Sequence, residues 1–113
     1  MPRAIMLVVA NATDEARVDE FNAWYAQHVQ ELLSLEGIVS ASRWHASPHT
    51  LIPGLDSIDG RRFLAIYQIE CDDLEAMRDR INQTSGERTH SDTLELSPLP
   101  ITLLFEHIGE WTA

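Results

Sequence analysis

The fold is decided by residues 18–37, VDEFNAWYAQHVQELLSLEG, which lie between two short apolar segments. Apolar and aromatic residues recur here at steps of three and four, the period of one face of an α-helix. We therefore predict a helix that begins at a Thr13 or Asp14 cap and ends near Leu35, before Gly37. The stripe that should face a sheet contains Val18, Phe21, Tyr25, His28 and Leu32, widened by Trp24, Val29 and Leu33.

The segments on both sides of this helix predict the remaining elements. Strands are expected at Ala4–Ala10, Ile38–His45, Phe63–Ile69 and Leu99–Ile108, because these runs are short, apolar and rich in β-branched residues. A second helix should begin at an Asp72 or Asp73 cap and end near Gln83. The connection 46–60 is rich in Pro, Gly and Asp, which predicts an exposed loop that is either a binding lid or simply variable.

The resulting order, β-α-β-β-α-β, predicts an α+β, ferredoxin-like sandwich as one domain over residues 1–113. Two helices cover only one face of a four-stranded antiparallel sheet. Because several strands are apolar on both faces, we expect a second copy of the chain to cover the other face and form a homodimer.

Composition limits the partners. The chain has 18 acidic and 8 basic residues, all of the latter Arg, and a formal net charge of -10. Nucleic acids and anionic membranes require basic patches, so neither is expected as a partner. The absence of Lys removes side-chain Schiff-base chemistry. The lone cysteine, Cys71, and an N-terminus without a leader-like apolar run indicate a cytoplasmic protein, and we expect an inert, half-buried thiol rather than a nucleophile.

Three polar residues of the first helix lie near one side of it, at Asn22, Tyr25 and His28. An imidazole with a near-neutral pKa on a buried stripe suits proton transfer in a pocket. The alternative is a core histidine bonded to a backbone carbonyl. Non-functional roles are also open for the other two residues: Tyr25 could pack in the core, and Asn22 could be a solvated amide.

Strand two alternates strictly in the sequence, which groups Val39, Ala41, Arg43 and His45 on one face. If that face meets the helices, Arg43 could bind an anionic group of a ligand; otherwise it is a paired surface arginine. Tyr67 on strand three could reach the same cavity.

The other histidines are weaker candidates. His90 lies in a connection that could place it over a pocket mouth, whereas His49 and His107 are less favoured. Ligand spacing is not typical of a metal site, so we expect no metal. We expect no cofactor either.

Residues 21–29, FNAWYAQHV, and 35–44, LEGIVSASRW, resemble the dimeric α+β barrel superfamily and, within it, EthD-like proteins. The family pattern has an aromatic-rich first helix ending in a histidine, a Pro-Gly turn and a strand-two arginine; Glu36 replaces the proline here. The resemblance implies a homodimer with one pocket per subunit between sheet and helices. The family's histidine corresponds to His28 and its arginine to Arg43, and no family motif supports His90.

The residues and the resemblance lead to one hypothesis: a cofactor-independent lyase, isomerase or cyclase acting on a small aromatic or polyketide-like carbonyl compound. His28 would be the acid/base, Tyr25 a proton donor, Arg43 the anion stabiliser and His90 a further catalytic candidate. Substrate-binding candidates are Asn22, Phe21, Trp24, His45 and Tyr67. The alternatives are a cofactor-free monooxygenase of aromatic substrates, suggested by Asn22, Trp44 and a histidine, and a non-catalytic binder of a hydrophobic ligand or haem.

Overall fold

The six main elements follow the predicted order. The computed structural model describes residues 2–97 and 99–113, and Met1 and Pro98 lie outside the described residues. The elements are β1 Arg3–Ala10, α1 Val18–Leu33, β2 Ile38–His45, β3 Phe63–Glu70, α2 Leu74–Gln83 and β4 Ile101–Glu106. The strands pair in the order β2-β3-β1-β4, all antiparallel. The predicted α+β sandwich is confirmed.

Helix α1 is framed by the polar and glycine signals that the sequence carries. The Asp14 side chain accepts a hydrogen bond from the Ala16 amide at 2.9 Å, but the chain first makes a 3-10 turn over Glu15–Arg17. The α-helix therefore begins at Val18, later than predicted, and ends at Leu33. Gly37 follows with a φ of +102°, a conformation that glycine adopts without strain.

The core lies between the helices and one face of the sheet. Tyr67 of β3 lies opposite Met6 of the neighbouring β1 and opposite Ala41 of the neighbouring β2. The three side chains therefore share the helix-facing side of the sheet. The main core cluster contains Ala4, Met6, Phe21, Tyr25, Leu32, Ile38, Ala65, Tyr67, Ile69 and Met77.

Strand β2 departs from strict alternation at its start. The register with β3 shifts between Ile38 and Ser40, so Ile38 is buried while Val39 is 53% exposed. Val39 therefore lies at the bulge, where one extra residue interrupts the predicted alternation, and it lines a hollow together with Ala76 and Met77 of the second helix. Beyond the bulge, Ala41, Arg43 and His45 do share the helix-facing side, opposite Tyr67, Ala65 and Phe63.

The far face of the sheet carries apolar side chains that no helix covers. Leu103 and Phe105 of β4 and Trp44 of β2 are 48%, 47% and 59% exposed, and Ile5, Leu7, Leu64 and Ile66 alternate onto the same face. Strand β4 begins at Ile101, directly after Pro100 and later than predicted. In the part of the chain that the structure describes, no helix is long and apolar enough to cross a membrane.

Candidate active site

A cavity of about 290 Å³ lies between α1, the end of α2 and the β1–β4 side of the sheet. Its walls are mostly apolar, with a small group of polar side chains that converge from α1 and from the chain after α2. Its lining residues are Met6, Val8, Trp24, Tyr25, His28, Leu32, Ile81, Asn82, Ser85, Arg88, His90, Leu94, Pro100 and Thr102. An apolar hollow with a few polar groups is typical of a small-molecule site. We call it the His28 cavity.

His28 lies in the aromatic part of this wall. Its ring stacks on Trp24 with centroids 4.9 Å apart and meets the edge of Tyr25 at 5.4 Å. Its Nδ1 is buried and has no hydrogen-bond partner among the described residues. Burial, assisted by the Arg88 charge, lowers the pKa of His28 below its ordinary value of 6.5, although Glu31 opposes this shift. The imidazole is therefore neutral at physiological pH and able to accept a proton.

Two tyrosines lie beneath the imidazole. Tyr25 is 4% exposed and lines the His28 cavity, and Tyr67 is completely buried behind it. The Tyr67 hydroxyl faces that of Tyr25 but makes no hydrogen bond of normal geometry with the described residues. Burial raises the pKa of both phenols above the ordinary value of 10. Both hydroxyl groups consequently stay protonated, so each remains a hydrogen-bond donor at neutral pH.

The segment after α2 brings Arg88 and His90 to the cavity, and α1 holds that segment in place. The Trp24 indole donates to the Thr89 carbonyl at 3.0 Å, and the Thr89 amide donates to the Glu31 carboxylate at 2.9 Å. Arg88 is partly buried, whereas His90 is exposed at the rim. The structure thus places His90 beside the same cavity as His28.

Arg43 faces the helices but lies on the other side of α1 from the His28 cavity. Its guanidinium carbon sits 4.1 Å from the centroid of the Tyr25 ring, and its Nη1 donates to Asn22 Oδ1 at 3.0 Å. Burial lowers the pKa of Arg43, and its Nε has no partner among the described residues. Neither Arg43 nor Asn22 lines the His28 cavity, so any influence of Arg43 on that site passes through Tyr25.

Asn22 and His45 line a different, larger cavity of about 530 Å³ near the start of α1. His45 is exposed, and its Nδ1 lies 3.1 Å from the carbonyl oxygen of Ala46. Arg62, which lines the same cavity, pairs with Asp56 at 3.5 Å. Asn22, His45 and Arg62 of this second cavity already have partners.

The remaining candidates do not reach the His28 cavity. Phe21 is fully buried against Tyr25 and Phe63, with ring centroids 5.6 and 5.2 Å away, so it supports the site from within the core. Trp44 faces away from the helices and donates to Ser42. The monooxygenase hypothesis requires Trp44 and Asn22 in one site, and the structure places them on opposite sides of the sheet.

Other reactive side chains lie elsewhere. Cys71 is half-buried, as expected, and His49 is exposed. His107 lies 3.2 Å from Glu110 near the end of the chain. Over residues 2–97 and 99–113, no group of three or more His, Cys, Asp or Glu side chains is arranged to hold a metal ion.

Arg88 is the residue that the sequence reasoning missed. Arg88 has extended backbone angles, φ −91° and ψ 149°, and both Arg88 and His90, two residues later, line the His28 cavity. The period of two between Arg88 and the suspected His90 was the available signal.

Comparison with solved structures confirms the ferredoxin-like class of the fold. A dimeric ferredoxin-like protein from an uncultured marine organism matches with a TM-score of 0.58 at 15% identity, covering 98% of this chain and 100% of that chain. An ethyl tert-butyl ether D (EthD) family protein from Bacillus halodurans matches with a TM-score of 0.57 at 12% identity, covering 96% and 100%.

At these identities the likeness shows the fold alone. No protein-family model matches the sequence, and no curated protein is significantly similar to it. The predicted resemblance to dimeric ferredoxin-like and EthD-like proteins is confirmed at the level of structure.

Proposed function

We propose that this protein is a cofactor-independent enzyme that uses His28 for acid/base chemistry on a small aromatic or polyketide-like carbonyl compound. The observation that carries the proposal is the His28 imidazole on the wall of an apolar cavity, where burial lowers its pKa and keeps it neutral.

The shared first step of lyase, isomerase and cyclase reactions on such compounds is removal of a proton next to a carbonyl. The His28 imidazole would take that proton, and the electron pair of the broken C–H bond would form the enolate. The Tyr25 hydroxyl, held protonated by its raised pKa, would donate a hydrogen bond to the enolate oxygen. Return of the proton from the His28 imidazolium to another carbon completes an isomerisation. In a cyclisation the enolate carbon instead attacks a second carbonyl, and the imidazolium gives its proton to the alkoxide that forms.

The other predicted site residues would contact the substrate, carry protons or support the catalytic groups. Trp24 forms a flat wall for an aromatic substrate, and His90 at the rim is a second proton carrier. Arg43 acts as a positioning residue, because its guanidinium lies over Tyr25 and is itself held by Asn22. Phe21 and Tyr67 support Tyr25 from the core, and a substrate contact by His45 requires occupation of the second cavity.

Exchange of solvent deuterium into the α position of an aryl ketone such as 1-tetralone tests the first step without knowledge of the final reaction. The wild-type protein should accelerate exchange, and His28→Gln should lose about 100-fold or more of that acceleration. The exposed His49 provides the matched control, and His49→Gln should retain full activity. Equal exchange by a folded His28→Gln variant would overturn the role of His28.

The apolar walls also favour a second candidate, a protein that binds a hydrophobic ligand without converting it. A ligand that stabilises the fold but shows no exchange or turnover would support this alternative. Haem fits poorly, because a cavity of about 290 Å³ is at the small end for ligand sites and below what a tetrapyrrole needs. Oxygen consumption during turnover would instead indicate the monooxygenase.

We also propose a homodimer formed through the far face of the sheet. The apolar side chains of Leu103, Phe105 and Trp44 lie exposed on that face, and one structural neighbour is described as a dimeric ferredoxin-like protein. Light scattering after gel filtration should give twice the monomer mass of 12.8 kDa. Phe105→Glu should convert the protein to monomers, and a monomeric wild type would contradict the proposal.

A further inference from the structure

Arg88 reaches the His28 cavity with much of its hydrogen-bonding capacity unused. Its Nη2 donates to the Ile81 carbonyl at 2.8 Å and its Nη1 to Thr84 Oγ1 at 2.9 Å, which fixes the guanidinium at the end of α2. A guanidinium has five N–H donors, so these two bonds leave three. Among the described residues, Arg88 forms no ion pair with a carboxylate.

The Arg88 guanidinium meets no carboxylate inside the cavity that the described residues form. No Asp or Glu lines the His28 cavity. Glu31 lies nearby and its charge acts on His28, but it does not line the cavity, and its carboxylate accepts from both the amide and the hydroxyl of Thr89. In a chain with a net charge of -10, this cavity therefore combines a fixed cation with neutral groups. A cation in a partly desolvated hollow favours an anionic guest, because the interaction is screened less there than at the surface.

The apolar side chains of the cavity wall indicate what the rest of the ligand is. Trp24 offers an aromatic face, and Met6, Leu32, Ile81 and Leu94 offer aliphatic contacts. We propose that the His28 cavity binds a small aromatic carboxylate, with the acid group on Arg88 and the ring against Trp24. This inference rests on the proposed function, since it names the substrate class of the same site: an aromatic carbonyl compound that also carries a carboxylate.

The pair 2-naphthoate and 2-naphthamide tests the inference, because the two molecules have the same shape and differ in charge. Calorimetric titration of the wild-type protein should show that naphthoate binds about tenfold or more tightly than the amide, as expected for a charge-assisted hydrogen bond. Arg88→Gln should bring the two affinities together. The matched control is Arg78→Gln on the exposed side of α2, where Arg78 pairs with Asp79, and it should keep the preference.

Equal affinities in the wild type, or a preference that survives in folded Arg88→Gln, would overturn the inference. Arg88 also ties down the end of α2, so the variant could fail to fold. NMR of the wild-type protein covers that case: naphthoate should shift the Arg88 Nε–H signal far more than naphthamide does. Shifts centred on Arg62, in the second cavity, would also overturn it.

The two proposals fail separately. Binding of naphthoate is measured without turnover, so His28→Gln should retain the preference for the carboxylate even though it loses deuterium exchange. Preference without exchange in the wild type would remove the enzymatic proposal and leave the anion site. Deuterium exchange without a preference for naphthoate would remove the anion site and leave the enzymatic proposal.

Discussion

Replacement of Arg43 by Met separates a structural from a functional role for the guanidinium beneath α1. In the folded protein Arg43 makes one side-chain hydrogen bond, to Asn22 at 3.0 Å, and lies 4.1 Å from the Tyr25 ring centroid. The bond is worth about 1.5 kcal/mol and the cation–π contact about 1 kcal/mol. Against these, the unpartnered Nε costs about 1–3 kcal/mol. Methionine removes all three contributions and keeps the apolar packing.

The expected change in the free energy of unfolding of Arg43→Met therefore lies between a loss of about 1.5 kcal/mol and a gain of about 0.5 kcal/mol. Urea unfolding measures it, provided that the slope with urea concentration is the same in both proteins. Asn22→Ala is the comparison variant: it removes the acceptor, leaves the cation in place and should cost about 1–3 kcal/mol. A loss of more than about 3 kcal/mol for Arg43→Met would refute this reasoning and make Arg43 a structural residue.

Three further predictions concern other parts of the site. Because the pKa of His28 is lowered on folding, the unfolded chain protonates at higher pH; the free energy of unfolding should fall as pH drops from above 6.5 toward the folded-state pKa. NMR titration reports that pKa directly, and urea unfolding of His28→Gln should lack this part of the pH dependence. Gly37→Ala should cost about 1 kcal/mol or more in thermal unfolding, because φ is +102° there. Glu31→Ala should speed hydrogen exchange at the Thr89 amide, which loses its acceptor, and unchanged protection would contradict the contact.

The sequence carried enough information for the architecture because each element had a local signal. The stripe through Phe21, Tyr25 and Leu32 predicted the buried face of α1, and all three are buried. Asp73 caps α2 through a bond from the Ala76 amide at 3.0 Å. Such signals depend on residues close together in the chain, so periodicity and capping reveal them.

The site depends on contacts between distant parts of the chain, and these were harder to predict. The bulge near Ser40 changes which side chains share a face of β2, and no residue type announced it. Arg43 was expected to act with His28 on one ligand, but it does not line the His28 cavity and lies over the Tyr25 ring instead. The guanidinium in the His28 cavity comes from Arg88, whose place depends on the bonds that Trp24 and Glu31 make to Thr89. Periodicity predicts which residues share one face of a helix or strand. The His28 cavity also depends on where the segment after α2 packs, and periodicity does not predict that.

An NMR titration of the His28 ring in wild-type protein, with and without saturating 2-naphthoate, shows whether the ligand occupies the His28 cavity. An occupied cavity places a carboxylate near the imidazole, so the bound ligand should shift the ring signals and raise the pKa of His28. If naphthoate binds while the signals and pKa of His28 stay unchanged, the ligand lies elsewhere, and the cavity beside α1 is not the functional site.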